Sequence, residues 1–370
     1  MHVKLLRNGI GAVLLALCIA CTALAAPLTF NPETMPMARY TGAYSVNVTP
    51  AGKSPTTGLD FAGEYRPILV QISNAREARP HGNLSEADIV YESIYAFNYT
   101  RYTAVFSDNH PSLVGSVHSA RLHHCELREE WDCPMVFWGG QETPGVNVYE
   151  FFRANGVAGS FCVDGTRNPD KIPYDALFAR DTARVSPHNV TVNLRKLAEN
   201  VWPAKPDGAS YAPKSHAFRF SDTPTRGQDT AQAIYIPYDA GDYFPSYTFN
   251  PATRQYERWY NGEEQYDGIT GKRIEASNVI VQVCRLERFP DPPECLAIAT
   301  TKGGMMDAFI DGQRIRGAWV RDNLSDRTIF LDGKGNELTL LPGKTFIQIV
   351  PEGFGYTYMS AEGMEHRAEW

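Results

Sequence analysis

Between Arg66 and Trp202 short apolar runs alternate with helix-like patterns, and after Lys214 the helical patterns stop. That order constrains the fold more than any other feature. Strands separated by helices build mixed α/β sheets, whereas short runs broken by turn residues build β-rich domains. In the first region "RPILVQIS" reads as a buried strand, "NLSEADIVYESI" as a helix with Leu84, Ala87, Tyr91 and Ile94 on one stripe, and "RYTAVFS" as a strand. "SARLHHCELREEW" follows as a helix, "PMVFWGG" as a strand, "GVNVYEFFRANG" as a helix ending at Gly156, and "SFCVDG" as a strand. In the second region "QAIYIPY", "YTFNPATRQYERWY", "NVIVQVC", "CLAIATT", "GAWVRD" and "KTFIQIVP" are short strands, and "TIFLDGKGNELTL" is a hairpin around a glycine-containing turn. The expected fold class is α/β: an N-terminal α/β domain over 59–205, then a β-rich domain over 214–370.

Ahead of these lie two segments without a sustained period. Residues 26–58 are rich in Pro, Thr, Gly and Ser and read as a linker or extended arm. Residues 1–25 read as an export signal, with Lys4 and Arg7 before the apolar "GIGAVLLALCIA" and the small-x-small "ALA" at Ala23 to Ala25. The apolar core is short for a membrane span. A competing reading is lipid attachment at Cys21, although Cys18 stands where such signals usually carry Leu. Either route places the mature chain outside the cytoplasm, in the periplasm or beyond, and a lipid at Cys21 is the one membrane contact expected.

Charge excludes some partners. The formal charge is −7, and it becomes −9 once Lys4 and Arg7 are removed. No basic patch suited to nucleic acid or to an anionic membrane surface is visible. Five cysteines remain after residue 25: Cys125, Cys133, Cys162, Cys284 and Cys295. In an oxidising compartment an odd number leaves at least one thiol unpaired within the chain. Cys284 and Cys295 flank the turn-rich "RLERFPDPPE" and are expected to form a disulfide across a hairpin. Cys125 and Cys133 would be about 12 Å apart on a continuous helix, beyond the roughly 7 Å limit, so they can pair only if the helix stops before Pro134. Cys162 is then left over, in a strand where a buried thiol is usually inert.

The stretch "VGSVHSARLHHCE" from Val114 to Glu126 concentrates candidate chemistry. His118, His123, His124 and Cys125 could serve a metal, but adjacent positions on a helix point about 100° apart, and a polar helix start capped by Ser116 or Ser119 explains the same residues. The expectation is no metal and no cofactor; signatures of serine hydrolases, zinc proteases and phosphate loops are absent. Arginines are more informative. Arg101, Arg121 and Arg184 stand at the ends of apolar runs, and a guanidinium drawn into a domain requires a carboxylate or an anionic ligand. Asp88 and Glu92, read as one helical turn apart, could be internal partners. The other reading is an anion pocket with Gly139 and Gly140 allowing close backbone approach. His188 and Asn189, after Pro187, could supply a general base or ligand contacts.

"ARPHGNLSEADIVYESI", "TRYTAVFSDNHPSLVGSVHSAR", "RVSPHNV" and "NVIVQ" resemble, in order, the motifs of the YerB-like family, bacterial envelope proteins that are often lipoproteins and whose activity is uncharacterised. The resemblance runs from about Gly58 to the C-terminus and implies that the N-terminal domain is a layered α/β sandwich, followed by a β-rich domain. It matches Asn74, Arg79, Pro80, Asp88, Glu92, Thr100, Arg101, Gly115, Ser119, Arg121, Arg184, His188 and Asn189. Where relatives read Gly-Pro-Val-Arg-Ser-Ala-Arg this chain has Ser116 for Pro and His118 for Arg, and Ser73 replaces an aspartate. A family site using two arginines would keep a pH-dependent version of one of them at His118.

Two functions are consistent with these residues. One is binding of an anionic small molecule, cell-wall material or a protein partner through Arg101, His118, Ser119, Arg121, Arg184, His188 and Asn189. The alternative is an enzyme acting on envelope polymers with Glu92 or His188 as acid or base. Both predict that Arg101, Arg121, Arg184 and His188 converge with Glu92 on one cleft.

Overall fold

The computed structural model describes residues 47–157, 159–167, 177–201, 217–227, 229–239, 242–289, 292 and 294–368. The expected export signal, Cys21 and most of the arm therefore lie outside the described residues, as does the boundary at 202–216. The architecture is mixed α/β with a strong β bias, and three α-helices are present among the described residues. None of the described helices is long and apolar enough to cross a membrane.

One large sheet organises the chain. Its strands are β1 (Ile68–Ser73), β2 (Ile89–Ala96), β3 (Tyr99–Phe106), β4 (Met135–Phe137), β5 (Cys162–Asp164), β6 (Asp229–Thr230), β7 (Asn278–Cys284), β8 (Lys302–Ile310), β9 (Gln313–Arg321), β10 (Ile329–Asp332) and β11 (Thr345–Pro351). Their spatial order is β6-β9-β8-β7-β11-β2-β3-β1-β4-β5, with β10 paired to β9. β11 joins the two sequence regions, running parallel to both β2 and β7. The helices are α1 (Leu122–Trp131), α2 (Val148–Ala154) and α3 (Leu194–Val201). α1 meets one face of the sheet, where Trp131 Nε1 donates to Tyr91 Oη at 3.1 Å. A second sheet, built around the hairpin Pro245–Asn250 and Gln255–Tyr260, meets the opposite face. Both faces of the central strands are thus covered, so Asn278–Cys284 is buried at every position. Each apolar side chain fully enclosed there contributes about 1.5–3 kcal/mol by burial.

This double coverage overturns one expected helix. Residues 84–94 form a single 3-10 turn, Leu84–Glu86, and then strand β2, not a continuous helix. Seven of the eight positions of β2 are buried, so period-two alternation is erased and a chance 3.6-residue spacing remains. The β-branched and aromatic content of "IVYESIYA" belongs to a strand. Asp88 and Glu92 are accordingly not one helical turn apart.

The expected Cys284–Cys295 disulfide is also corrected: both thiols are free and buried. Strands Leu286–Arg288 and Leu296–Ile298 pair with Leu286 opposite Ile298, and Phe289 N donates to the carbonyl of Cys295 at 3.0 Å. That register sets Cys295 opposite Phe289 rather than opposite Cys284. Cys295 Sγ instead lies 2.6 Å from Gln141 Nε2. α1 does stop before Pro134, at Trp131, yet Cys125 and Cys133 remain separate free thiols.

Candidate functional site

Strand register assigns the polar residues of β1, β2 and β3 to opposite faces. Ser73 and Ser93 both stand opposite Arg101, in one row across three strands. Glu92 and Ile72 stand opposite Tyr102, one residue along, and so face the other way.

On the face shared with α1, the chain from Val114 to Ala120 lies over the row. Val114–Gly115 pairs with Val190–Val192, His118 N donates to Gln71 O at 2.9 Å, and Trp138 N donates to His118 O at 3.0 Å. Gly115 is required there, because a Cβ would lie 2.9 Å from Val190 O. This anchoring brings Ser119 against Arg101. Arg101 Nη1 donates to the carbonyl of Ser119 and, at 3.1 Å, to its Oγ. Arg121 Nη1 donates to the same Oγ at 3.2 Å and to Ala120 O at 2.9 Å. Tyr95 covers both guanidiniums, its ring centre 3.8 Å from Arg101 Cζ and 5.3 Å from Arg121 Cζ.

No carboxylate forms an ion pair with Arg101 or Arg121 among the described residues. Arg101 is 2% exposed and its Nε has no partner. Burial first, and then the Arg121 charge, push the Arg101 guanidinium down to about 9; burial lowers Arg121 as well. An arginine stays charged at neutral pH, so these shifts register a costly excess of positive charge.

The imidazoles of His118 and His188 flank this pair, with ring centres 5.2 Å apart. His118 Nδ1 accepts the N–H of Ser119 at 2.9 Å, and His188 Nδ1 lies 2.9 Å from Ser73 Oγ. Burial, followed by the charges of Arg101, His188 and Arg121, lowers His118 to about 2. His188 is lowered by burial and by Arg101, against the opposing pull of Glu77.

The structure thus brings Arg101, His118, Ser119, Arg121 and His188 together. Arg184 is held by Asp181 at 3.2 Å and by the carbonyls of Glu77 and Pro80, while Asn189 Oδ1 accepts from Arg180 Nη1 at 2.8 Å. Glu92 lies apart from this group. Its carboxylate is fully buried on the far face, 2.7 Å from Arg258 Nη2, and accepts from Asn74 Nδ2 at 2.9 Å and Thr100 Oγ1 at 2.7 Å. Asp88 does not reach the arginines either; it accepts from Thr56 Oγ1 and from the backbone N–H groups of Ser107 and Asp108.

The histidines of α1 are buried against β2. Ser93 Oγ lies 3.0 Å from His123 Nε2 and 3.3 Å from His124 Nε2. The N-cap of α1 is Arg121, whose N–H donates to His124 Nδ1 at 3.0 Å, so neither Ser116 nor Ser119 is the cap. Gly139 and Gly140 serve the loop after β4: Ala120 N donates to Gly139 O, and Gly139 N donates to Asp164 Oδ1. Sequence reasoning missed Tyr95 and Arg258. Tyr95 was legible only through strand parity with Ser93, and Arg258 sits 166 residues from the carboxylate it neutralises.

Two family models match the chain: the N-terminal domain of "Protein of unknown function (DUF3048)" over residues 56–206, and its C-terminal domain over residues 234–347. The chain is 27% identical over 321 residues to "Putative lipoprotein YerB" of Bacillus subtilis (strain 168), an alignment covering 84% of this chain and 90% of that protein. The crystal structure of the Bacillus subtilis YerB protein superposes with a TM-score of 0.68 at 25% identity, over 81% of this chain and 97% of that one.

Proposed function

Because the chain belongs to the YerB-like family, whose Bacillus subtilis relative bears a lipoprotein name, we propose that it is an exported envelope protein that holds an anionic ligand between Arg101 and Arg121. Cell-wall material or an acidic group on a protein partner would present such an anion. One observation carries the reading: two adjacent, largely buried guanidiniums share Ser119 Oγ and have no carboxylate partner among the described residues. Like charges placed side by side away from water are costly, and an oxyanion accepting from both would remove that cost. Their planar forks suit a carboxylate or phosphate held in fixed orientation. The acid-base alternative draws on His188 alone, since Glu92 is enclosed with Arg258.

Thermal shift and calorimetry on the purified protein test this, with inorganic phosphate, sulfate and soluble peptidoglycan fragments as probes. Binding should stabilise the protein, and Arg121→Ala should fold normally while losing the effect. No binding of any probe, or undiminished binding by Arg121→Ala, would end the proposal.

A further inference from the structure

We infer that the site captures a dianionic oxyanion of the phosphate or sulfate type together with one proton, which the His118–His188 pair takes up. The inference rests on the anion reading above and adds to it a ligand charge and a mode of regulation.

The imidazoles of His118 and His188 stand beside the two guanidiniums. Their ring centres are 5.2 Å apart, and each ring is tied to a serine, Ser119 or Ser73. His118 Nδ1 accepts a backbone N–H, so this ring is neutral and carries its hydrogen on Nε2. The groups bearing on the pair are almost all cationic or neutral. Arg101 from β3 bears on both rings and Arg121 from the start of α1 on His118, while Tyr95 from β2 and the buried His123 and His124 face the two guanidiniums. Among the described residues Glu77 is the acid that bears on His188, and Glu294 and Cys295 bear on Arg121.

A proton on either ring would add a third positive charge to two uncompensated ones. Without a bound anion the two guanidiniums therefore oppose protonation, in agreement with the low His118 value of about 2. A bound dianion reverses the balance by offsetting both guanidiniums. Its field then favours a charged imidazole, and in the conformation already present the proton goes to His188, whose Nδ1 faces the Ser73 hydroxyl, whereas His118 Nδ1 faces a backbone N–H. A monoanion would leave one positive charge uncompensated and couple more weakly. Two rings whose centres are 5.2 Å apart repel if both are charged, so the pair takes one proton, not two.

By linkage, a proton taken up on binding makes binding stronger as pH falls, by up to about tenfold per pH unit. Sulfate is the probe, since it keeps its two charges throughout pH 5.5–8, and methanesulfonate is the singly charged comparison. Calorimetry of the wild-type protein in buffers of differing ionisation enthalpy counts the protons directly and needs no variant. Sulfate should bind more tightly at pH 5.5 than at pH 7.5, with uptake approaching one proton, and more tightly than methanesulfonate. The His118→Gln/His188→Gln double variant should still bind sulfate with its pH dependence gone. Sulfate affinity that is flat with pH, a double variant that keeps the slope, or methanesulfonate binding as tightly as sulfate would each overturn the inference while leaving the arginine site standing. Failure of sulfate to bind at any pH would also overturn the inference, and the anion reading on which it rests falls with it only if phosphate and the peptidoglycan fragments fail to bind as well.

Discussion

Removing Arg258 tests whether Glu92 is a structural group or an available acid-base residue. The two charges lie 2.7 Å apart with neither side chain exposed. At an effective dielectric of about 20, their attraction is about 6 kcal/mol. Desolvation costs several kcal/mol per ion, so the pair is near break-even against a well-packed apolar substitute. Removing one member is a different matter. Arg258→Met leaves Glu92 charged and enclosed, and it deprives Tyr247, Tyr102 and Gln265 of the guanidinium that each now meets. The expected loss is about 3–5 kcal/mol, which for a fold of this size lowers Tm by roughly 6–10 °C. The double variant Glu92→Gln/Arg258→Met should be more stable than the sum of the single effects, by at least about 2 kcal/mol. Urea unfolding at pH 7 of wild type, both single variants and the double variant supplies the cycle. Additive effects, or an Arg258→Met protein as stable as wild type, would show that Glu92 has other means of carrying its charge and would restore it as a candidate base.

Other outcomes follow from single residues. Asp88 is pushed up to about 7 by burial and then by the Asp108 charge; its folded pKa exceeds its unfolded value, so stability should fall as pH rises from about 4 to about 7. All three of its hydrogen bonds go to Oδ2, so Asp88→Asn should keep them and flatten that slope in urea titrations run at several pH values. Gly115→Ala should cost about 1–3 kcal/mol, because the new Cβ presses on Val190 O at 2.9 Å, and a Tm equal to wild type would contradict the close approach. Reducing agent should leave Tm unchanged, and nonreducing peptide maps should show Cys284 and Cys295 unlinked. Intact mass of native material should give a chain beginning at Ala26; a diacylated chain beginning at Cys21 would favour the lipid route instead.

Local pattern was enough to identify β1, β3, α1 and α2: β1 and β3 are short apolar runs of β-branched and aromatic residues, and Gly156 follows the end of α2. The ordered motifs were enough for the family. They were also enough to draw attention to Arg101, Ser119, Arg121 and His188, since polar residues at the ends of apolar runs are conspicuous in a linear reading. Tertiary structure decided the rest. β2 reads as a helix until β11 and β3 flank it, because a strand covered on both faces loses the alternation that would reveal it. That one change of element separated Glu92 from the arginines: in a strand, neighbouring positions point to opposite faces, so Ser93 goes with Arg101 while Glu92 goes with Arg258. The hairpin after β7 kept Cys284 from Cys295 through register, which turn composition does not encode. Charge balance around a buried group is likewise a property of the assembled fold. Glu92 acquires its counter-charge from a strand 166 residues away, whereas neither Arg101 nor Arg121 forms an ion pair with a carboxylate among the described residues. A linear sequence records which residues carry charge, but only packing decides which of those charges are enclosed together.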